Sequence, residues 1–235
     1  MTAKRRNLGR KASAKALLLA NCHRPQYQWV VHVFTEGDTE YQYLKDIAQD
    51  RCVRVVRDCQ PISSPAELLQ EAKDWAFKNR TFLGSSSGKN HVIWVLFDDD
   101  EKPEIRQVIK DLKKTPSGCR PEEFFSQKFP KIHIGYMKPC IELWGAMTVC
   151  GSLKSFPHTH SGMESFLAKV MKNYSHKDTR RYFDVEQMVN TDWALDMAAK
   201  WESTYGEFPS CHNAAFFAGI YRLVNLILSC PKKRS

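Results

Sequence analysis

Hydrophobic residues in the first 150 positions form short apolar runs that alternate with segments of helical spacing. Four runs predict β-strands, at 27–34, 51–56, 91–97 and 131–136. Segments with apolar residues three and four positions apart predict helices at 39–47, from 64, at 103–113 and at 139–149. Strands that are apolar throughout and separated by helices indicate a parallel sheet covered on both faces. The pattern therefore predicts an α/β fold with about four parallel strands flanked by helices.

The pattern changes after residue 150. No further strand is predicted, and three segments, 163–174, 184–205 and 212–229, have the spacing or continuous hydrophobicity of helices. The chain is thus divided into a basic arm at 1–24, an α/β domain at 25–150 and a helical C-terminal lobe at 151–235 that ends in a short basic tail.

Local signals predict where several helices begin. Thr39 with Gln42 three residues later has the form of a capping box. Ser64 followed by Pro65 is typical of an N-cap with proline in the first turn, and Pro139 is predicted to occupy the first turn of its helix in the same way.

The net charge of +9 is concentrated at the two ends of the chain. Residues 1–24 carry seven basic and no acidic residues, and the tail contributes three more, which leaves the intervening chain at −1. A basic arm is typical of proteins that contact nucleic acid. The arm therefore supplies candidate phosphate-binding residues for DNA or RNA, namely Arg5, Arg6, Arg10 and Lys11.

Other compositional features narrow the class of protein. No apolar run reaches the roughly 20 residues that a membrane span needs, so we expect no membrane association. No secretory signal is recognisable at the N-terminus. The eight cysteines form no CxxC pair and have no regular spacing, which predicts reduced thiols in a cytoplasmic protein.

Acidic residues follow two of the predicted strands. Glu36 comes after the first strand, and Asp98 and Asp100 come after the third. Ligands collect at the carboxyl ends of parallel strands, and two residues in an extended segment that are separated by one position point to the same side. Asp98 and Asp100 can therefore hold one cation together, whereas Asp99 points away and is expected to be structural or solvated. Oxygen ligands favour Mg²⁺ or Mn²⁺, the usual cofactors of phosphodiester chemistry.

Three ordered motifs resemble a known family. "TEGDTE" after the first strand and "FDDDE" after the third resemble the Toprim domain of topoisomerases, primases and related nucleases. "MKPCIELWGAM", which includes Lys138 and Glu142, is similar to a signature of the RloB-like family, a branch of Toprim-like proteins in which Asn usually stands in place of Lys138. The resemblance covers about residues 28–150, with a looser likeness beyond.

The resemblance implies a metal-dependent nuclease of bacterial antiviral or restriction loci, with Glu36, Asp98 and Asp100 as catalytic and metal-binding residues. It also implies an ATPase encoded nearby as a partner, and it leaves open whether the substrate is DNA or RNA (tRNA included) and whether the protein is a homo-oligomer.

Alternatives remain for individual residues and for the function. Glu142 is either a metal ligand or a helix cap, and Lys138 either neutralises a phosphate or is solvated. The histidines of "HTH", residues 158–160, either bind a metal or are polar surface, and the second interpretation is favoured. Besides a nuclease, the sequence is compatible with a non-hydrolytic Toprim-like module that binds nucleic acid or an ATPase, or with phosphotransfer on a small substrate.

Overall fold

The order of strands and helices follows the predicted alternation in a computed structural model that describes residues 27–59, 64–88, 90–99, 132–153, 156–172, 174, 183–205 and 216–233. The strands are β1 (Trp29–Thr35), β2 (Val53–Arg57), β3 (His91–Asp98), β4 (Ile132–Lys138) and β5 (Phe217–Ala218). The α-helices are α1 (Asp38–Ile47), α2 (Pro65–Lys78), α3 (Arg80–Leu83), α4 (Ile141–Cys150), α5 (His160–Val170), α6 (Thr191–Tyr205) and α7 (Tyr221–Ser229). Short 3-10 helices occupy Ser86–Gly88 and Val185–Gln187. The helix predicted at 103–113 lies outside the described residues.

The strands form one sheet in the order β2-β1-β3-β4-β5. The first four strands are mutually parallel, as predicted, and β5 adds two antiparallel residues beside the carboxyl end of β4. The chain leaves β1 for β2 on one side and returns to β3 on the other, so the connection reverses direction between β1 and β3. In an open parallel sheet, this reversal opens a crevice at the carboxyl ends of the two strands.

Alternate residues of β3 belong to two separate hydrophobic clusters. Trp94 and Leu96 pack with residues of α1, α4 and α7, whereas Ile93, Val95 and Phe97 pack with residues of α2. Because side chains of a strand alternate between the faces of its sheet, each cluster fills one face. The unbroken apolar run in the sequence is thus explained by burial on both sides.

The C-terminal helices share the cluster on the α1 and α4 face. Buried residues of α5, α6 and α7, such as Leu167, Ala198 and Leu223, belong to the same cluster as Trp144 of α4 and Val33 of β1. The helical part therefore packs directly on the sheet domain, and the boundary near residue 150 is a division of the chain and not of this core.

Several predicted boundaries differ from the structure. Helix α1 begins at Asp38 with Gly37 as its N-cap and no side-chain cap, so the predicted capping box at Thr39 is wrong. Pro139 precedes the N-cap Cys140 of α4 instead of occupying its first turn. Ser64 is the N-cap of α2, with its hydroxyl accepting from the backbone N–H of Glu67 at 3.4 Å, as predicted.

The C-terminal region holds two further differences. The segment predicted as one helix at 212–229 contains β5, and helix α7 starts only at Tyr221. The segment at 184–205 is divided into the 3-10 turn and α6. In the first case continuous apolar residues were interpreted as helix, whereas pairing with the edge of β4 fixed a different backbone. In the second, the backbone N–H of Asn190, between the 3-10 turn and α6, donates to the Thr148 carbonyl oxygen of α4 at 2.8 Å. Within the described residues, no helix has the length and hydrophobicity that crossing a bilayer would require.

Candidate metal centre

The crevice between β1 and β3 brings two of the predicted site residues together. Thr35 pairs with Leu96 in the parallel register, so Glu36 and Asp98 leave neighbouring strands at the same edge of the sheet. Glu36 is partly buried and Asp98 is 6% exposed. Asp100, the other predicted ligand, lies outside the described residues, as do the arm residues Arg5, Arg6, Arg10 and Lys11.

The loop after β1 is held in one conformation by hydrogen bonds to a single carbonyl group. The hydroxyl of Thr35 donates to the Gly37 carbonyl oxygen at 2.7 Å, and the guanidinium of Arg57 donates to the same oxygen at 2.9 Å. Arg57 also pairs with the carboxylate of Asp38. These contacts fix the backbone between Glu36 and the first turn of α1.

Glu40 is a buried member of the same site that sequence reasoning did not assign. Its side chain is 3% exposed, and a Cβ atom at Gly37 would lie 3.4 Å from its Oε2 atom. The pKa of Glu40 is raised to about 7, mainly by burial and further by the negative charges of Glu142 and Glu36, although a backbone hydrogen bond and Arg57 act in the opposite direction. The signal in the sequence is the third acid of "TEGDTE", four residues after Glu36.

Glu142 is turned into the site and is not simply a solvated helix cap. It is 1% exposed and lies in the first turn of α4. Its Oε1 atom accepts a hydrogen bond from the hydroxyl of Tyr174 at 2.9 Å, and its Oε2 atom is 3.7 Å from Nε2 of His160. The surroundings of the carboxylate thus come from the helical C-terminal part of the chain.

Cys140 and His160 extend the site beyond the predicted residues. One ligand atom each from Cys140, Glu142 and His160 lie within 4.8 Å of one another. Burial, together with the charges of Glu142 and Asp98, raises the pKa of the Cys140 thiol. His160, one of the histidines of "HTH" that were interpreted as polar surface, is 36% exposed, and its imidazole faces Glu142 and also lies 3.4 Å from Glu164. The sequence signal was the spacing of His160 and Glu164, which places both on one face of α5.

Asp99 and Lys138 form a separate pair beside the site. Asp99 is buried and accepts a hydrogen bond from the Tyr136 hydroxyl at 2.8 Å, and its carboxylate is 3.8 Å from Nζ of Lys138. Asp99 is therefore structural and not solvated. The ammonium group of Lys138 is directed at this carboxylate. Because the carboxylate partly neutralises its positive charge, Lys138 would attract a phosphate less strongly.

The arrangement has the donor set that a hard divalent cation requires. Carboxylates dominate it, and one buried carboxylate oxygen, Oε2 of Glu40, has no hydrogen-bond donor among the described residues. Buried oxygens of this kind cost free energy unless a donor or cation satisfies them. The residues therefore fit Mg²⁺ or Mn²⁺, which bind oxygen ligands and retain sites for water or a phosphate oxygen.

Comparisons with known proteins agree with the motifs. No curated protein and no solved structure matches the chain. A family described as RloB-like protein matches residues 31–227, which include every strand and helix from α1 to β5 and most of β1 and α7. The chain is therefore a member of the RloB-like protein family.

Proposed function

We propose that this protein is a divalent-metal-dependent nuclease that cleaves phosphodiester bonds in DNA or RNA. The observation that carries the proposal is the convergence of Glu36, Glu40, Asp98 and Glu142 at the crevice between β1 and β3. Mutually repelling carboxylates have no structural benefit at a partly buried site, so their retention there favours a role in cation binding.

Glu36, Asp98 and Glu40 each have a role in this proposal that follows from their position. Glu36 and Asp98, on adjacent strand ends, would hold the metal together with Asp100. Bound Mg²⁺ or Mn²⁺ supplies charge neutralisation at a phosphate and lowers the pKa of water. Glu40, whose carboxylate lies close to Gly37, would accept or return a proton. Arg57 holds the loop that carries Glu36 and leads to Glu40.

The wider role is a proposal from family membership and charge. A cytoplasmic effector of a bacterial antiviral defence system, acting with an ATPase encoded nearby, is the setting that the resemblance implies. The basic arm at 1–24 would contribute the phosphate contacts that a near-neutral body lacks. A non-hydrolytic nucleic-acid-binding module is the alternative, favoured by that near-neutral charge.

The test is cleavage of labelled DNA, RNA and tRNA by the purified full chain, with Mg²⁺ or Mn²⁺ against a chelator, alone and with the co-purified ATPase. The proposal expects metal-dependent fragments from at least one polymer. Binding that is independent of metal, with no fragments under any of these conditions, would support the non-hydrolytic module instead.

A further inference from the structure

Three potential ligands of mixed chemistry meet where the α/β domain contacts the helical part of the chain. Cys140 is the N-cap of α4, Glu142 is in the first turn of the same helix, and His160 is the first residue of α5. Their ligand atoms all lie within 4.8 Å of one another. We propose that Cys140, Glu142 and His160 form a second metal site, separate in chemistry from the all-oxygen site and suited to Zn²⁺.

An unsatisfied buried oxygen points to a ligand at this position. Oε2 of Glu142 has no hydrogen-bond donor among the described residues, although the side chain is only 1% exposed. It faces the imidazole of His160 across 3.7 Å. The other oxygen, Oε1, accepts from the Tyr174 hydroxyl at 2.9 Å, which fixes the orientation of the carboxylate. In metal sites, the carboxylate oxygen that does not bind the metal typically accepts such a hydrogen bond.

The spacing is close to what a tetrahedral zinc ion needs. Zinc bonds of about 2.3 Å to sulfur and about 2.0 Å to nitrogen or oxygen imply ligand atoms about 3.3 to 3.8 Å apart. The three atoms therefore need to approach by at most about 1.5 Å, a change within reach of side-chain rotation. Three protein ligands with a fourth position for water or for Glu164 match the zinc sites that keep an open coordination position.

The ligand types distinguish this site from the crevice between β1 and β3. A thiolate and an imidazole favour Zn²⁺ and disfavour Mg²⁺, which prefers oxygen. On binding, the Cys140 thiol would lose its proton to solvent as the metal–sulfur bond forms. The side chain of His160 is 36% exposed and gives the ion a path from solvent.

Cobalt titration provides a direct readout, because thiolate coordination of Co²⁺ gives a charge-transfer absorption that oxygen ligands do not. The full chain should bind Co²⁺ with this absorption, and Zn²⁺ should remove it while excess Mg²⁺ should not. Cys140→Ser should abolish the absorption, and His160→Gln should weaken Co²⁺ binding at least about tenfold. Tyr174→Phe should weaken it less, because Tyr174 only orients Glu142.

Matched controls keep the result decisive. Cys150→Ser changes a partly buried thiol at the opposite end of α4 and should leave the absorption intact. If Cys140→Ser does not fold, His160→Gln still tests the site, because its side chain is the most exposed of the three. Absence of the absorption in the unsubstituted protein, or its persistence in Cys140→Ser, would overturn the proposal.

The second site and the nuclease proposal can fail independently. Asp98→Asn should remove metal-dependent cleavage and keep the cobalt absorption. Loss of cleavage in Asp98→Asn with no cobalt absorption in any variant would contradict only the zinc site. A normal cobalt absorption in a protein that cleaves no polymer would contradict only the nuclease.

Discussion

Two buried polar clusters in this protein differ in how their members are satisfied. One consists of Asp58, His32 and His91 on the α2 face of the sheet, and the other is the acidic cluster at the carboxyl ends of β1 and β3. In the first, hydrogen bonds connect the three side chains in series. In the second, carboxylates face one another.

The histidine cluster satisfies itself through a chain of hydrogen bonds. The Nδ1–H of His32 donates to the Asp58 carboxylate at 2.6 Å, and Nε2 of His32 shares a hydrogen bond with Nδ1 of His91 at 2.8 Å. The rings of Trp75 and Phe82 cover the two imidazoles, with centroids at 4.4 and 4.8 Å. Such a network needs nothing from outside and is explained by stability alone.

The acidic cluster lacks that internal balance. Burial and then the charges of Glu142 and Glu36 raise the pKa of Glu40, and burial and then the charges of Glu142 and Asp98 raise the pKa of Cys140. Since a fold gains nothing from burying like charges together, this cluster indicates a ligand where the histidine cluster does not. A buried polar cluster therefore indicates a ligand site only if its members do not stabilise one another.

The largest expected effect is on cleavage. Asp98→Asn and Glu36→Gln should each lower the rate of metal-dependent cleavage by about 10³-fold or more, because each removes a ligand from a metal worth several kcal/mol to the transition state. Single-turnover assays at saturating protein measure this. Asp58→Asn, which alters a buried carboxylate of the histidine cluster, is the control, and an equal loss of activity in that variant would remove the distinction between the clusters.

The next effect is on stability in the presence of metal. Saturating Mg²⁺ at about 100 times its Kd should stabilise the folded protein by about 2.7 kcal/mol, seen as a higher Tm in thermal melts. Asp98→Asn should lose this increase and melt at a higher temperature than the unsubstituted protein without metal, because repulsion is relieved. An unchanged response to Mg²⁺ in Asp98→Asn would show that the ion binds elsewhere.

A substitution in the histidine cluster should lower the stability of the protein but leave its response to Mg²⁺ unchanged. Asp58→Ala should lower the free energy of unfolding by about 1 to 3 kcal/mol, because the buried Nδ1–H of His32 loses its acceptor. The Mg²⁺-dependent increase in Tm should remain. Denaturant unfolding measures the loss, and Asp50→Ala provides the comparison, since its exposed ion pairs with Arg51 and Lys232 should contribute under about 1 kcal/mol.

The smallest effect is on the pH dependence of stability. The pKa of His91 is lowered to about 4, first by burial and then by the neighbouring His32. Between pH 6.5 and 4 the unfolded chain therefore binds a proton at His91 that the folded protein does not, and stability falls as the pH falls. His91→Gln should lose less stability across this window, measured by urea unfolding at several pH values. An identical slope in both proteins would contradict the lowered pKa.

Much of the fold followed from local patterns. The four apolar runs became the parallel strands β1 to β4, and Ser64 with Pro65 began α2, because burial on both faces and backbone capping leave direct marks in neighbouring residues. The positions of Glu36 and Asp98 at adjacent strand ends followed from the same reasoning. The failures, such as β5 and the start of α7, occurred where pairing with a distant strand decided the backbone.

The rest of the candidate site depended on contacts between residues that are distant in sequence. Glu40, Glu142 and His160 carry no local signal that separates a ligand from a helix-end acid or a surface histidine. Their burial, the hydrogen bond from Tyr174 and the approach of α5 to α4 exist only after the helical region packs on the sheet. The sequence alone determined which acidic residues follow which strands along the chain. The tertiary structure decided which charges share one low-dielectric space, because the interaction of two charges depends on their separation and solvent exposure and not on their distance along the chain.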